Sequence, residues 1–141
     1  MKKLKTAVLI IVSSVFWPAL SHADSNIAGT WSGTDSDGDA ATFVFNEDKS
    51  AEVKLEGVPL LSSKTMTNGY VVWSGDTNQE PMLLNIVIFS GSSESGRIPL
   101  VAQIVNQRTL KIQLPRDMTT RLREFTESED VFQIMATKQE N

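Results

Sequence analysis

Cysteine is absent from this 141-residue chain, and histidine occurs once, as His22. No disulfide can form, so burial and hydrogen bonding alone must hold the fold, and its stability should not respond to reductant. The residue that carries a bacterial lipid anchor is missing too. His22 lies in a segment expected to be cleaved, which leaves a mature chain without imidazole or thiol, the groups most used for acid–base, nucleophilic and metal chemistry. Catalysis would then rest on carboxylates, a Ser/Lys pair, Tyr or a carboxylate-held metal. Binding, without catalysis and without a cofactor, is the expectation. Long helical patterns, internal repeats and linkers are also lacking, and no apolar run reaches the roughly 20 residues that span a bilayer.

At the N-terminus, Lys2, Lys3 and Lys5 precede a largely apolar stretch, Ala7 to Leu20, broken by Ser13, Ser14 and Pro18. Ser21-His22-Ala23 then offers the small residues a signal peptidase needs. The expectation is a signal peptide over residues 1–23 and one domain over 24–141, periplasmic or secreted, with no membrane insertion after cleavage. Taking 23 from 141 leaves 118 residues, enough to bury a single core without staples. Cleavage takes three of the thirteen basic residues, so ten remain against seventeen acidic ones, a formal charge of −7. Such a surface repels phosphate backbones and anionic lipid heads, which excludes nucleic acid as a partner. Arg116, Arg121 and Arg123 fall close together and read as a solvated face.

Short apolar stretches bounded by Gly, Asp, Asn and Ser recur about every ten residues, the rhythm of an antiparallel all-β domain. Strands are expected over Gly29 to Thr34, Ala41 to Phe45, Ala51 to Leu55, Gly69 to Ser74, Met82 to Phe89, Pro99 to Val105, Thr109 to Leu114 and Val131 to Ala136. The stretch Met82 to Phe89 is apolar on both faces except at Asn85, which predicts a deeply placed strand. Ser90 to Gly96 reads as a flexible connection. Met118, Leu122 and Phe125 are spaced to share one face of a short helical turn that covers one end of the sheet. Eight meandering strands most naturally close into a barrel, because closure removes exposed edges; an open sandwich is the alternative.

Gly29-Thr30-Trp31 opens the first strand. With Phe43 and Phe45 on the next hairpin, Tyr70 on a later strand, the Pro-led apolar run Pro81 to Ile86, and a late Arg121 to Phe125, the chain resembles small bacterial secreted lipocalin-like domains built on a Gly-x-Trp barrel. Leu122 stands where that pattern has Pro. The resemblance implies a small antiparallel barrel of about eight strands, in which Trp31 closes the floor and Arg121 packs across its ring. Fold is what such a likeness implies; function has to come from the site.

Four side chains are candidates for ligand binding: Trp31, Tyr70, Trp73 and Arg121. Trp73 alternates with Tyr70 and Val72, so one of the two sets faces inward. An outward Trp73 would anchor a partner and an inward one would pack in the core or line a cavity. Asp35-Ser36-Asp37-Gly38-Asp39 sets three alternating carboxylates around a bend, an arrangement suited to calcium. The bidentate Glu of a full calcium loop is missing, since Asn46 occupies the twelfth position, and an acidic hairpin turn explains the same residues. Ser62 with Lys64, and Asp76 with Glu80, form short pairings without a supporting motif, which a turn flank and a solvated loop explain better.

Two functions follow. The first is a monomeric exported carrier of a small apolar or amphipathic ligand, held in the barrel. The second is an interaction module for an envelope protein, an inhibitor or accessory subunit, whose interior is filled by Phe43, Phe45, Met82, Leu84, Ile86 and Ile88 and whose acidic surface suits a basic partner. A hollow interior would favour the first and an exposed patch over a full interior the second.

Overall fold

The computed structural model describes residues 27–56, 58–62 and 67–140. The expected signal peptide, with His22, lies outside them, and so does Lys64. Nine strands form one antiparallel sheet: β1 (Gly29–Thr34), β2 (Ala40–Phe45), β3 (Ala51–Leu55), β4 (Val58–Leu61), β5 (Gly69–Asp76), β6 (Met82–Ser90), β7 (Ser93–Asn106), β8 (Thr109–Pro115) and β9 (Val131–Lys138). The sheet order is β4-β3-β2-β1-β9-β8-β7-β6-β5. Every neighbour is consecutive in the chain except β1 and β9, which join its two ends. Eight of the strands make a nearly closed up-and-down barrel; the ninth, β4, is a four-residue strand on the outer edge of β3.

Alternation along each strand sends one set of side chains inward. Trp31, Phe43, Phe45, Val53, Val71, Trp73, Leu84, Ile86, Leu100, Ile112, Leu114 and Ile134 all belong to that set, and they pack with their neighbours into a single buried cluster. Phe43 lies parallel to Phe45 at 6.2 Å between ring centroids, and Phe45 meets Trp73 edge-on at 5.7 Å. The expected barrel core is therefore present: Phe43, Phe45, Met82, Leu84 and Ile86 of the expected interior set are buried, whereas Ile88, expected with them, is only half-buried near the end of its strand.

Three expectations need correction. The strand Met82 to Phe89 is not buried on both faces. Its inward residues Met82, Leu84 and Ile86 are, and outward Val87 is too, but outward Leu83, Asn85 and Phe89 are only half-buried, because an antiparallel barrel strand keeps one face toward solvent. Nor is Ser90 to Gly96 a flexible connection. Phe89 pairs with Glu94 and Ile88 with Gly96, so β7 starts at Ser93 and the extra Ser95 forms a bulge, its Oγ donating to the Ile88 carbonyl at 3.2 Å.

The third correction concerns residues 116–130, which contain no helical turn. Side chains take over the backbone groups that a helix would pair internally. Asp117 Oδ1 accepts from the Thr119 and Thr120 amides at 2.8 and 2.9 Å, and its Oδ2 accepts from Thr120 Oγ1 at 2.6 Å. Gln113, outward on β8 yet 1 % exposed, grips Thr126 at both backbone groups: Oε1 accepts from its N–H at 2.9 Å and Nε2 donates to its carbonyl at 2.8 Å. The segment is an extended strap. Met118 packs against the barrel core, whereas Phe125 lies outside it beneath Lys111, whose Nζ is 4.4 Å from the ring centroid, so the three apolar residues share no face. Val101, paired with Gln113 on the same outer face, is completely buried as well.

Candidate functional site

The residues singled out from the sequence separate into three places. Trp31 is buried in the core, and its Nε1 donates to the Ile27 carbonyl at 2.9 Å. The cation over its ring is Lys138, with Nζ 5.6 Å from the centroid. Arg121, expected to pack across Trp31, instead spreads over β6 and β7. Its Nη1 donates to the carbonyls of Leu100 at 3.0 Å and Leu122 at 3.4 Å, and its Nη2 to the Leu84 carbonyl at 2.7 Å and Asn85 Oδ1 at 2.5 Å. The strap carries Arg121 to the β6–β7 pair, and β9 brings Lys138 back beside β1, where Trp31 is its register partner.

Trp73 points inward. Its Nε1 donates to the Asn46 carbonyl at 2.9 Å, and Lys49 Nζ stands 3.7 Å above the ring. Here the barrel closes between β3 and β5, through a bridge from Ser50 to Val72 and the Trp73 amide donating to the Lys49 carbonyl at 2.8 Å. Both tryptophans have used their one polar group on backbone carbonyls, so they act as packed closures.

Tyr70 takes the opposite face. It is 41 % exposed and stacks on Phe89, its register partner on β6, with centroids 4.8 Å apart and planes 12° from parallel. The register builds the rest of this outer surface. Val72 pairs with Val87, Val87 with Arg97, Ser74 with Asn85, and Asn85 with Pro99; Val87 and Pro99 are buried on this face, so what it exposes lies around Tyr70 and Arg97. Arg97 is held by Glu94, which accepts from Nε at 2.9 Å and Nη2 at 2.8 Å, and this bond draws the Glu94 carboxyl below its ordinary pKa. Burial holds the Arg121 guanidinium below its ordinary value, and positive charge from Arg123 and Arg97 pushes the same way. Sequence reasoning missed Phe89, Asn85 and Arg97 here. Nothing local links positions 70, 89 and 97; only strand register does.

The acidic turn is the third place. Oxygens of Asp35, Asp37 and Asp39 come within 4.8 Å of one another. Asp35, 9 % exposed, uses its Oδ1 to accept from the Asp37 and Asp39 amides, both at 2.9 Å. Arg116 binds both oxygens of Asp37, at 2.9 and 3.0 Å, and lowers its pKa. Backbone amides and Arg116 thus already occupy three of the oxygens a calcium ion would need, as in a hairpin turn tied to the strap. Ser62 is buried. Asp76 accepts from the Asn78 amide at 2.8 Å and is exposed, as is Glu80, consistent with a solvated loop. Beside the acidic turn, where the strap leaves β8 and rejoins β9, runs a half-open groove of about 450 Å³, with Pro115, Leu122 and Val131 beside Arg116, Asp117 and Asp130 in its lining. No protein-family model, no curated protein and no solved structure matches this chain.

Proposed function

We propose that this protein is an exported, non-catalytic interaction module: a monomeric lipocalin-like barrel, filled by its own side chains, that meets an envelope protein through the outer face of β5, β6 and β7. The observation that carries this reading is the contrast between the two faces of those strands. Inside, Val71, Trp73, Leu84, Ile86 and Leu100 belong to one continuous cluster. Outside, Tyr70 and Phe89 present a stacked aromatic pair next to the Glu94–Arg97 ion pair, Glu94 being the register partner of Phe89. Aromatic residues and Arg are the side chains that dominate binding at protein interfaces. The lipocalin-like assignment is supported by Gly29-x-Trp31 opening β1, the up-and-down strand order and the burial of Trp31.

A small-ligand carrier is the second reading, and the groove of about 450 Å³ beneath the strap is what favours it. An amphipathic ligand would lie there against Leu122 and Val131, away from Trp31 and Trp73. Native mass spectrometry of protein purified gently from its own compartment separates the two. Bare polypeptide mass is expected. A retained small molecule that leaves on denaturation would replace the interaction reading with the carrier, and Leu122→Asp should then abolish retention.

A further inference from the structure

We infer that the outer face of β5–β7 recognises an acidic protein segment, with carboxylates set against Arg97, Arg121 and Arg123 and an apolar side chain laid on the Tyr70–Phe89 stack. This rests on the interaction reading above and names the chemistry of its partner. The whole chain is acidic, seventeen carboxylates against thirteen basic side chains, which taken alone points to a basic partner. Locally arginines outnumber the carboxylates set among them: Arg97 and Arg123 both act on Arg121, while Glu94 is taken up by Arg97 and Glu124 follows Arg123 in the chain.

Arg121 is the centre of that excess. A guanidinium has five N–H donors and cannot shed its charge. All four acceptors around it are neutral, three backbone carbonyls and one amide oxygen. The Nη donors are thereby engaged while the charge has no counterion among the described residues, in a site where burial and two further arginines already work against it. Its Nε is directed to no acceptor among the described residues. Arg97 spends Nε and Nη2 on Glu94, so Nη1 remains for an incoming oxygen. Arg123 is exposed and forms no ion pair among the described residues. Bringing carboxylates between these groups relieves like-charge crowding and adds charge-assisted hydrogen bonds.

The same charge map selects a protein segment over a membrane or nucleic acid. Screening confines the patch to about 8 Å at physiological ionic strength. A few carboxylates of a short segment can be seated within that range, whereas an extended anionic surface would also meet the acidic remainder of the molecule. The aromatic pair adds a demand that phosphate alone does not meet, an apolar group beside the charge.

Selection from a random twelve-residue peptide library on the folded domain tests this, with a Tyr70→Ser/Arg123→Glu variant for counter-selection. Both positions are exposed, and an unchanged near-UV circular dichroism spectrum verifies that the variant folds. Peptides rich in Asp and Glu with an apolar neighbour are expected, binding about tenfold more weakly to the variant and weakening with salt. Enrichment of basic or neutral peptides, or no enrichment, would overturn the proposal. Vesicles containing phosphatidylglycerol form a second arm, and binding there that the variant loses, without peptide binding, would also overturn it. Peptides that bind domain and variant equally would refute this face while leaving the interaction reading intact; a small molecule retained in native mass spectrometry would instead refute that reading.

Discussion

β1 and β9 zip together over four register pairs, Trp31 with Lys138 through Thr34 with Met135, whereas β3 and β5 meet at one bridge between Ser50 and Val72. The first closure is made of backbone. Its close fit shows at Gly33, where a Cβ would stand 2.3 Å from the Met135 carbonyl oxygen. The second has little backbone, the bridge and the Trp73 amide on the Lys49 carbonyl, and leans on a side chain. Trp73 reaches the Asn46 carbonyl, braces Phe45 edge-on and carries Lys49 over its ring, so one indole fastens the turn between β2 and β3 to β5. A backbone closure tolerates changes of side chain but not an added atom between the strands; a side-chain closure behaves the other way round.

Trp73→Ala is the strongest way to break the contrast, with an expected loss of about 4 kcal/mol in chemical denaturation. In native-state hydrogen exchange the Trp73 amide should lose protection first, while the β1–β9 pairs keep theirs. Equal loss at both closures would show that they are one cooperative unit. At the backbone closure, Gly33→Ala should cost about 2 kcal/mol, since the clashing atom is main chain and cannot swing aside. A neutral result would mean that β1 and β9 slide apart easily. Trp73→Phe keeps an aromatic ring but removes one of the two donors to the Asn46 carbonyl, which retains the Lys49 amide at 3.0 Å, and should cost about 1 kcal/mol for the lost hydrogen bond.

The smallest effect concerns acid. Hydrogen bonds from the Thr120 hydroxyl and the Thr119 and Thr120 amides lower the Asp117 pKa from 3.8 to about 2. A carboxyl depressed in the folded state contributes stability fully present above its unfolded pKa and lost as pH falls through the folded one. Between pH 4 and about 2 the start of the strap should therefore loosen. Asp37, lowered by its hydrogen bonds from Arg116, acts in the same direction. Amide exchange at Thr119 and Thr120 should accelerate on acidification before exchange at β8–β9 does, and Asp117→Asn should flatten that response. Barrel and strap loosening together would show that the strap is no separate element.

Much of the barrel was legible in the residues. Ala51, Val53 and Leu55 alternate with Glu52, Lys54 and Glu56, and the structure buries the first set and leaves Lys54 and Glu56 exposed. Strand β4 escaped because Val58 to Leu61 is too short to show a period. The strap misled for a different reason: Met118, Leu122 and Phe125 fit a helical spacing, but Asp117 and Gln113 hold the backbone by side-chain bonds that no periodicity reports. Trp73 was left open between inward and outward, because alternation sorts residues into two faces without saying which face is the core. Burial of Phe45 on one side of Trp73 decides it.

Sequence by itself determined the class of the molecule: all-β, without thiols, with Trp31, Phe43, Phe45, Leu84 and Ile86 on strand faces that must be buried. Those are local properties, set by alternation and composition. Tertiary structure alone decided which distant residues share a surface. It parted Arg116 from its neighbours in the chain, giving it to Asp37, and laid Arg121 across β6 and β7. It also set Tyr70 against Phe89. These pairings depend on strand register and on the path of the strap, and both are fixed by contacts between segments far apart in the chain.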